Sequence, residues 1–343
     1  MSLVRRVRSI VNCVSRKRCL ACCIVCAFIA FGIAFSIIES STTLLVWRMR
    51  TSIMNGTLRI SRATPGRLDS GITYIPHVLF SRWAALPIID VICGKIECLN
   101  LTNQSSTQLL SRDTPLPYLK VLISNNSDIA DNELARIHGC RNLRRLLLNR
   151  TGVTSCGICR FIECNAILDL EELQVGEAAI DDRLCSVLGS LGKLKRIHLA
   201  ETRVTNATAR VIGRLDAVEE ISVSHTLITA DGVAGFARMP NLATMYCDGI
   251  SGIGSLDIIV PFRSLEYLSV ADTSINDAGL RALPQCRWIT SLILDGCVVS
   301  DEAIPNIIRC ERLVRVGLRR TRMSAQGIAQ LRISKPAIKC MAD

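Results

Sequence analysis

From Leu119 to about Pro336 the apolar positions of this chain recur in blocks. LRRLLLNRTGV at 143–153 aligns with LKRIHLAETRV at 194–204, VEEISVSHTLI at 218–228, LEYLSVADTSI at 265–275, ITSLILDGCVV at 289–299 and LVRVGLRRTRM at 313–323. Weaker copies begin at Leu119, Leu170 and Leu242, so the starts fall at 119, 143, 170, 194, 218, 242, 265, 289 and 313. The interval is 24 residues, broken once by 27 and once by 23. Apolar residues at the first, fourth and sixth places include a period-two pair, which predicts a short strand buried on one side. The ninth place holds Ser127, Thr151, Ala178, Thr202, Thr226, Ile250, Thr273, Cys297 and Thr321, mostly small residues where the chain turns inward.

A polar residue follows the eleventh-place aliphatic in most units: Thr154, Asp181, Thr205, Thr229, Asn276, Ser300 and Ser324. Such residues satisfy the free amides of a helix start, and short helical patterns follow at 181–191, 206–215 and 277–286. One strand-helix unit cannot bury its apolar face alone, so units must stack. The fold class expected is α/β, a solenoid with parallel strands on a concave face and short helices on a convex one. It spans 93–336, with IECLNLTNQSS at 96–106 as a degenerate first unit and 337–343 as a C-terminal tail. The unit at 143 is three residues longer than the usual 24. The unit at 242 loses its cap and carries Gly249, Gly252 and Gly254, predicting an irregular loop.

At these residues the array resembles leucine-rich repeats, in the variant with Thr or Cys at the ninth place and a closing Cys found in cysteine-containing repeats and in many protozoan and bacterial surface proteins. The resemblance covers about two-thirds of the chain. It implies protein or ligand binding and no particular ligand.

The N-terminal part reads differently. Residues 19–38 are uncharged and mostly apolar, which is long enough for a helix to cross a membrane. Six basic residues and no acid precede them in the tail 1–18, an arrangement that keeps the N-terminus cytoplasmic. The expectation is one transmembrane signal anchor, a single-pass type II protein with a lumenal or extracellular body; a cleaved signal peptide, with Ala34 and Ser36 at the cut, places the body on the same side. Residues 39–92 then form a juxtamembrane and capping region. Sequons at Asn55, Asn100, Asn103, Asn125, Asn149 and Asn206, all after the span, point the same way as glycosylation sites.

The net charge of +11 first suggests nucleic acid. Residues 1–70 hold eleven basic residues against Glu39 and Asp69, so the remainder carries only +2. With few aromatics to stack bases and no basic stripe on the body, no nucleic-acid partner is expected. Of seventeen cysteines, Cys140, Cys164, Cys286 and Cys310 share the twenty-second place with Leu191, Leu215 and Met239 of other units, which argues for buried packing. In an oxidising compartment Cys140 with Cys164, and Cys286 with Cys310, are the pairs to test. Cys156 and Cys159 have metal-ligand spacing, but no second pair completes a zinc site, and no metal or cofactor is implied. Searches for a nucleophile elbow, zinc helix, phosphate loop or paired catalytic carboxylates find none, and the chain reads as a non-enzyme.

Candidate chemistry therefore rests on the strand positions facing outward, the third, fifth, seventh and eighth. These give Arg145 and Arg150 early, then Glu172, Glu177, Glu201, Glu220, Asp248, Asp272 and Asp295, and finally Arg315, Arg319 and Arg320. Gln174, His198, His225, Tyr246 and Tyr267 lie in the same field. The acidic middle predicts a protein partner with a basic patch. Asn125 and Asn149 share the seventh place, so glycans there would cover the early face and leave recognition to the acidic middle. The alternative reading is an intracellular adaptor similar to ubiquitin-ligase substrate receptors with cysteine-containing repeats.

Overall fold

The computed structural model describes residues 52–54, 57–59, 97–103 and 113–342. The expected tail 1–18, the span 19–38 and most of the capping region 39–92, with Asn55, lie outside the described residues. No helix among the described residues is long and apolar enough to cross a membrane. Strands β1 (Ser52–Met54) and β2 (Thr57–Arg59) pair antiparallel.

The repeat folds as its pattern requires. Strand β3 (Cys98–Asn100) begins a parallel sheet that takes in β5 (Val121–Ile123), β7 (Arg145–Leu147), β8 (Glu172–Gln174), β9 (Arg196–His198) and β10 (Glu220–Ser222). It continues through β11 (Thr244–Tyr246), β12 (Tyr267–Ser269), β13 (Ser291–Ile293), β14 (Arg315–Gly317) and β15 (Lys339–Met341). Spatial order equals sequence order across these eleven strands. Places three, four and five of one unit sit beside the same places of the next, as in Arg145 beside Glu172 and Glu172 beside Arg196. A small second pairing joins β4 (Thr114–Pro115) to β6 (Ile137–His138). Because β15 pairs with β14, the sheet runs beyond 336, and the segment expected as a tail supplies its last strand.

Every fourth-place residue from Leu99 to Val316 is buried, as are the first-place residues from Leu119 to Leu313. Removing each aliphatic side chain from water contributes roughly 1.5–3 kcal/mol. The ninth-place hydroxyls return to the backbone of their own strand end: Thr151 donates to the Leu148 carbonyl at 2.7 Å, Thr202 to Leu199 at 2.6 Å and Thr273 to Val270 at 2.7 Å. Just before them, the eighth place adopts a left-handed backbone in all ten units, at Asn103, Asn126, Arg150, Glu177, Glu201, His225, Gly249, Asp272, Gly296 and Arg320. Six of these are bulky charged or imidazole residues that pay a conformational cost, so the closing turn of the unit dictates the conformation against local preference.

Helices occupy the other side: α1 (Asp131–Ala135), α2 (Ser155–Cys164), α3 (Cys185–Leu188), α4 (Asn206–Ile212), α5 (Ala230–Ala234), α6 (Ile304–Arg309) and α7 (Ala325–Ser334). The pattern at 277–286 forms a 3₁₀ helix, Gly279–Gln285, with Pro284 inside it. Side-chain caps form at Thr154, Asp181, Thr205, Asn276, Ser300 and Ser324. Thr229 caps no amide; its hydroxyl instead accepts from Asn206 Nδ2 at 2.8 Å. The unit at 242 is not capless. Gly252 takes the eleventh place at φ +82°, Ile253 fills the core one residue late, and Ser255 caps the 3₁₀ turn Leu256–Ile259.

The residue after each cap ties the units together. Asp182 accepts from the Thr205 amide at 2.9 Å and its hydroxyl at 2.6 Å, and from the Thr208 hydroxyl at 2.6 Å. Asp131 grips Thr154, Asp277 grips Ser300 and Asp301 grips Ser324 in the same two-pronged way. Burial pushes the Asp182 carboxyl up, and the Thr205 and Thr208 hydroxyls outweigh it, holding it below the ordinary carboxylate range. At the corresponding places Ala230 and Gly254 offer no acceptor, so this tie is missing twice in succession.

Candidate functional site

The face of the sheet away from the core carries the third and fifth places, and there the charges alternate along the stack. Arg145, Glu172, Arg196 and Glu220 stand on consecutive strands. Glu172 Oε2 accepts from Arg145 Nε at 2.6 Å and Arg196 Nη2 at 2.9 Å, while its Oε1 accepts from Gln174 at 2.6 Å. Burial pushes the Glu172 carboxyl up; hydrogen bonds from Arg196 and Arg145 outweigh that and leave it below the ordinary carboxylate range. The second place repeats the scheme: Lys120 lies 3.0 Å from Glu97, and Arg144 pairs with Glu171. Whole units therefore alternate in sign, Arg144, Arg145 and Arg150 facing Glu171, Glu172 and Glu177.

This arrangement corrects the expected acidic strip. Glu172 is only 3% exposed, closed over by the arginines on either side, and does not present a free carboxylate. Glu177 pairs with Arg150 at 2.7 Å and Asp272 with Arg320 at 3.2 Å. Glu220 lies 3.1 Å from His198 Nε2 without hydrogen-bond alignment, an electrostatic contact when the imidazole is protonated. Seventh-place side chains turn along the sheet to hold the next unit's backbone. Asp248 Oδ1 accepts from the Ala271 amide at 2.8 Å and from the Ser269 hydroxyl, and Asp295 accepts from the Arg319 amide at 2.9 Å. Glu201 and His225, with Glu177, sit at the left-handed turn on the rim of the strands, exposed. Gly249 makes room for the His225 ring, whose Nδ1 lies 2.4 Å from where a Cβ would stand.

Gly296 does the same for the Arg320–Asp272 bridge, which spans two units: a Cβ there would meet Asp272 Oδ1 at 2.0 Å. The aromatic pair does come together on the open face. Tyr246 and Tyr267 are half-buried, with ring centroids 5.1 Å apart and planes tilted by 46°. Partial burial, then the negative charges of Glu220 and Asp248 near Tyr246, push the phenol of Tyr246 up; burial leads at Tyr267 as well. Both therefore present neutral hydroxyls.

Three sequon asparagines are structural. Asn125 Oδ1 accepts the Asn149 amide at 2.9 Å; Asn149 Oδ1 accepts the Gly176 amide at 2.8 Å and its Nδ2 donates to Gln174 at 2.9 Å. Asn206 both accepts from the Thr229 amide and donates to its hydroxyl. Asn100 accepts from the Thr102 amide at 2.9 Å, and Asn103 is exposed.

Cysteine expectations divide. Cys140, Cys286 and Cys310 are buried, and burial pushes the thiols of Cys140 and Cys286 up to about 12. Cys164 is exposed, because the long unit shifts the buried column, three residues before the next start, onto Ile167. The pair Cys140–Cys164 is thus not formed, and all eleven cysteines among the described residues are free thiols. Cys156 is exposed beside Arg183, with Sγ 3.7 Å from Nη1, whereas Cys159 is buried and accepts from the Ser186 hydroxyl at 3.3 Å.

What sequence reasoning missed at the far end is Lys339, which lies in the segment expected as a tail and joins the outward Arg315 and Arg319. Residues 304–343 hold nine basic residues against Glu311 and Asp343. Arg315 and Lys339 occupy the third place of β14 and β15 and stand side by side in register. Arg315, Arg319 and Lys339 are exposed. The signal lies in the third-place column, where three uncharged residues, Thr244, Tyr267 and Ser291, are followed by two cations in succession.

No family model matches the chain and no curated protein is significantly similar to it. Among solved structures it is similar to a leucine-rich-repeat protein of Leptospira interrogans at 17% identity, TM-score 0.49, covering 71% of this chain and 58% of that one. It is also similar to an internalin, InlF, of Listeria monocytogenes at 15% identity, TM-score 0.40, covering 74% and 93%. A third is the Arabidopsis receptor kinase HAESA, solved with the peptide hormone IDA and the co-receptor SERK1, at 13% identity, TM-score 0.44, covering 66% and 39%. The chain spans about three-fifths of the Leptospira protein's length. Parallel strands stacked in sequence order, one per unit of about 24 residues, ten of the eleven closed by a left-handed turn and those from β5 to β14 followed by a short helix or 3₁₀ turn, make the fold of the described residues a leucine-rich-repeat solenoid.

Proposed function

We propose that the open strand face is a non-catalytic protein-recognition surface, displayed outside the cytoplasm by a single anchor at residues 19–38. The observation that carries it is the Tyr246–Tyr267 pair, two neutral, half-exposed phenols fixed on a rigid sheet face. Tyrosine at such a position supplies large contact area with little entropy to lose. Self-pairing of Glu172, Glu177 and Asp272 argues against the expected complementarity to a basic patch. Co-precipitation by the full chain, compared with the Tyr246→Ser/Tyr267→Ser variant, tests the surface: a partner retained by the variant removes the proposal.

A second reading, an intracellular adaptor, is supported by the free thiols, since disulfides mark oxidising compartments. Glycosidase sensitivity combined with protease protection in intact vesicles separates the two. A glycosylated, protected body supports the anchored reading, and an unglycosylated, accessible one supports the adaptor.

A further inference from the structure

We propose that the C-terminal end of the strand face binds an acidic polypeptide segment through Arg315, Arg319 and Lys339, an inference that rests on the strand face being the recognition surface. The first observation is a like-charge juxtaposition. Neighbouring parallel strands lie about 4.8 Å apart, and like charges directly opposite each other destabilise a sheet. Elsewhere in the third-place column the chain avoids this, setting Arg145, Glu172, Arg196 and Glu220 in alternation. At Arg315 and Lys339 it does not, although a carboxylate at either position would turn the repulsion into an ion pair.

The second observation is the lack of internal compensation. The third-place cations of the earlier units, Arg145 and Arg196, bond to Glu172 at 2.6 and 2.9 Å, whereas neither Arg315 nor Lys339 at the same place has an ion-pair partner among the described residues, and Arg319 contributes its backbone amide to Asp295. The third is continuity. Arg315 stands two strands from Tyr267 in the same third-place column, with only the small Ser291 between them, so the cations and the aromatic pair share one face.

An extended segment with carboxylates matches both elements: acidic side chains against Arg315, Arg319 and Lys339, and its backbone or aliphatic stems against Tyr246 and Tyr267. A lipid headgroup layer fits less well, because these cations project from strand positions of the sheet rather than from the helices or connecting turns.

The test uses the full chain in detergent and a fluorescein-labelled peptide of alternating Glu and Gly, with a Lys/Gly peptide and phosphatidylserine vesicles as separate arms. Arg315→Glu/Arg319→Glu should weaken binding of the acidic peptide by roughly tenfold or more, and binding should fall with added salt. Arg281→Glu/Arg309→Glu makes the same charge change on the helix side and should leave affinity within about twofold. Arg315→Glu replaces a repulsion by an ion pair with Lys339, so lost binding in that variant comes with a melting temperature that is unchanged or higher and cannot be laid to misfolding.

Equal loss in the helix-side variant, no binding of the acidic peptide, or vesicle binding abolished by the same strand-face substitutions overturns the proposal. If a co-precipitated partner depends on Tyr246 and Tyr267 but not on Arg315 and Arg319, the recognition surface stands and the acidic ligand falls. If it depends on neither pair, both fall.

Discussion

The early strands and the last two treat charge in opposite ways. Between Glu97 and Glu220 the cations Lys120, Arg144, Arg145 and Arg196 each meet an acid on a neighbouring unit, and Glu172 is enclosed by two of them. Between Arg315 and Lys339 like charges sit in register. The difference separates two uses of the same side chains: ion pairs that fix which unit stacks on which, and cations whose partner lies outside the chain. A one-unit slip of the early stack would set like against like, so the alternation specifies register as well as stability.

The largest effect that sharpens this contrast is expected at Glu172. Glu172→Lys places a third cation in a closed site and should cost about 3–5 kcal/mol, read as a fall in the urea midpoint. Exchanging the pair, Arg145→Glu with Glu172→Arg, leaves Arg145→Glu facing the new arginine but sets that arginine against Arg196. It should recover only about half of the loss, and full recovery would show that the three-residue alternation does not matter.

Acidity is the next lever. The folded pKa of Glu172 is depressed, so its contribution is complete above the unfolded carboxylate value of about 4.3 and is lost as pH falls through the folded one. The urea midpoint should therefore drop more steeply below about pH 4 in the native chain than in Glu172→Gln. The smallest effect belongs to the other region: Arg315→Glu should raise stability by up to about 0.5 kcal/mol, and a decrease would break the comparison.

Much of this was readable beforehand. The spacing of apolar places located the strands and most caps, because burial of a repeated face allows few solutions. The site was less legible. Glu172, read alone, is an outward carboxylate; its burial follows from the stems of Arg145 and Arg196, neighbours 27 and 24 residues away that a strand-by-strand reading does not bring together. The left-handed eighth place was hard to see because Arg150, Glu177, Glu201 and Arg320 carry no local preference for it; Gly249, Gly296, two asparagines, Asp272 and His225 hint at it. Cys164 was misplaced by counting forward through the long unit instead of back from the following one.

The two missing side-chain ties at Ala230 and Gly254 have a consequence for how the solenoid comes apart. Each unit contacts chiefly its neighbours, so cooperativity is passed along nearest-neighbour interfaces and weakens where the helix side of an interface loses its fastener and the strand side, held by Asp248, carries the contact. Amide hydrogen exchange should reveal two protected blocks, one ending near Thr229 and one starting near Asn276, separated by a faster-opening seam. Tyr246 and Tyr267 lie on that seam, so a segment bound across them would act as a splint joining two independently breathing halves.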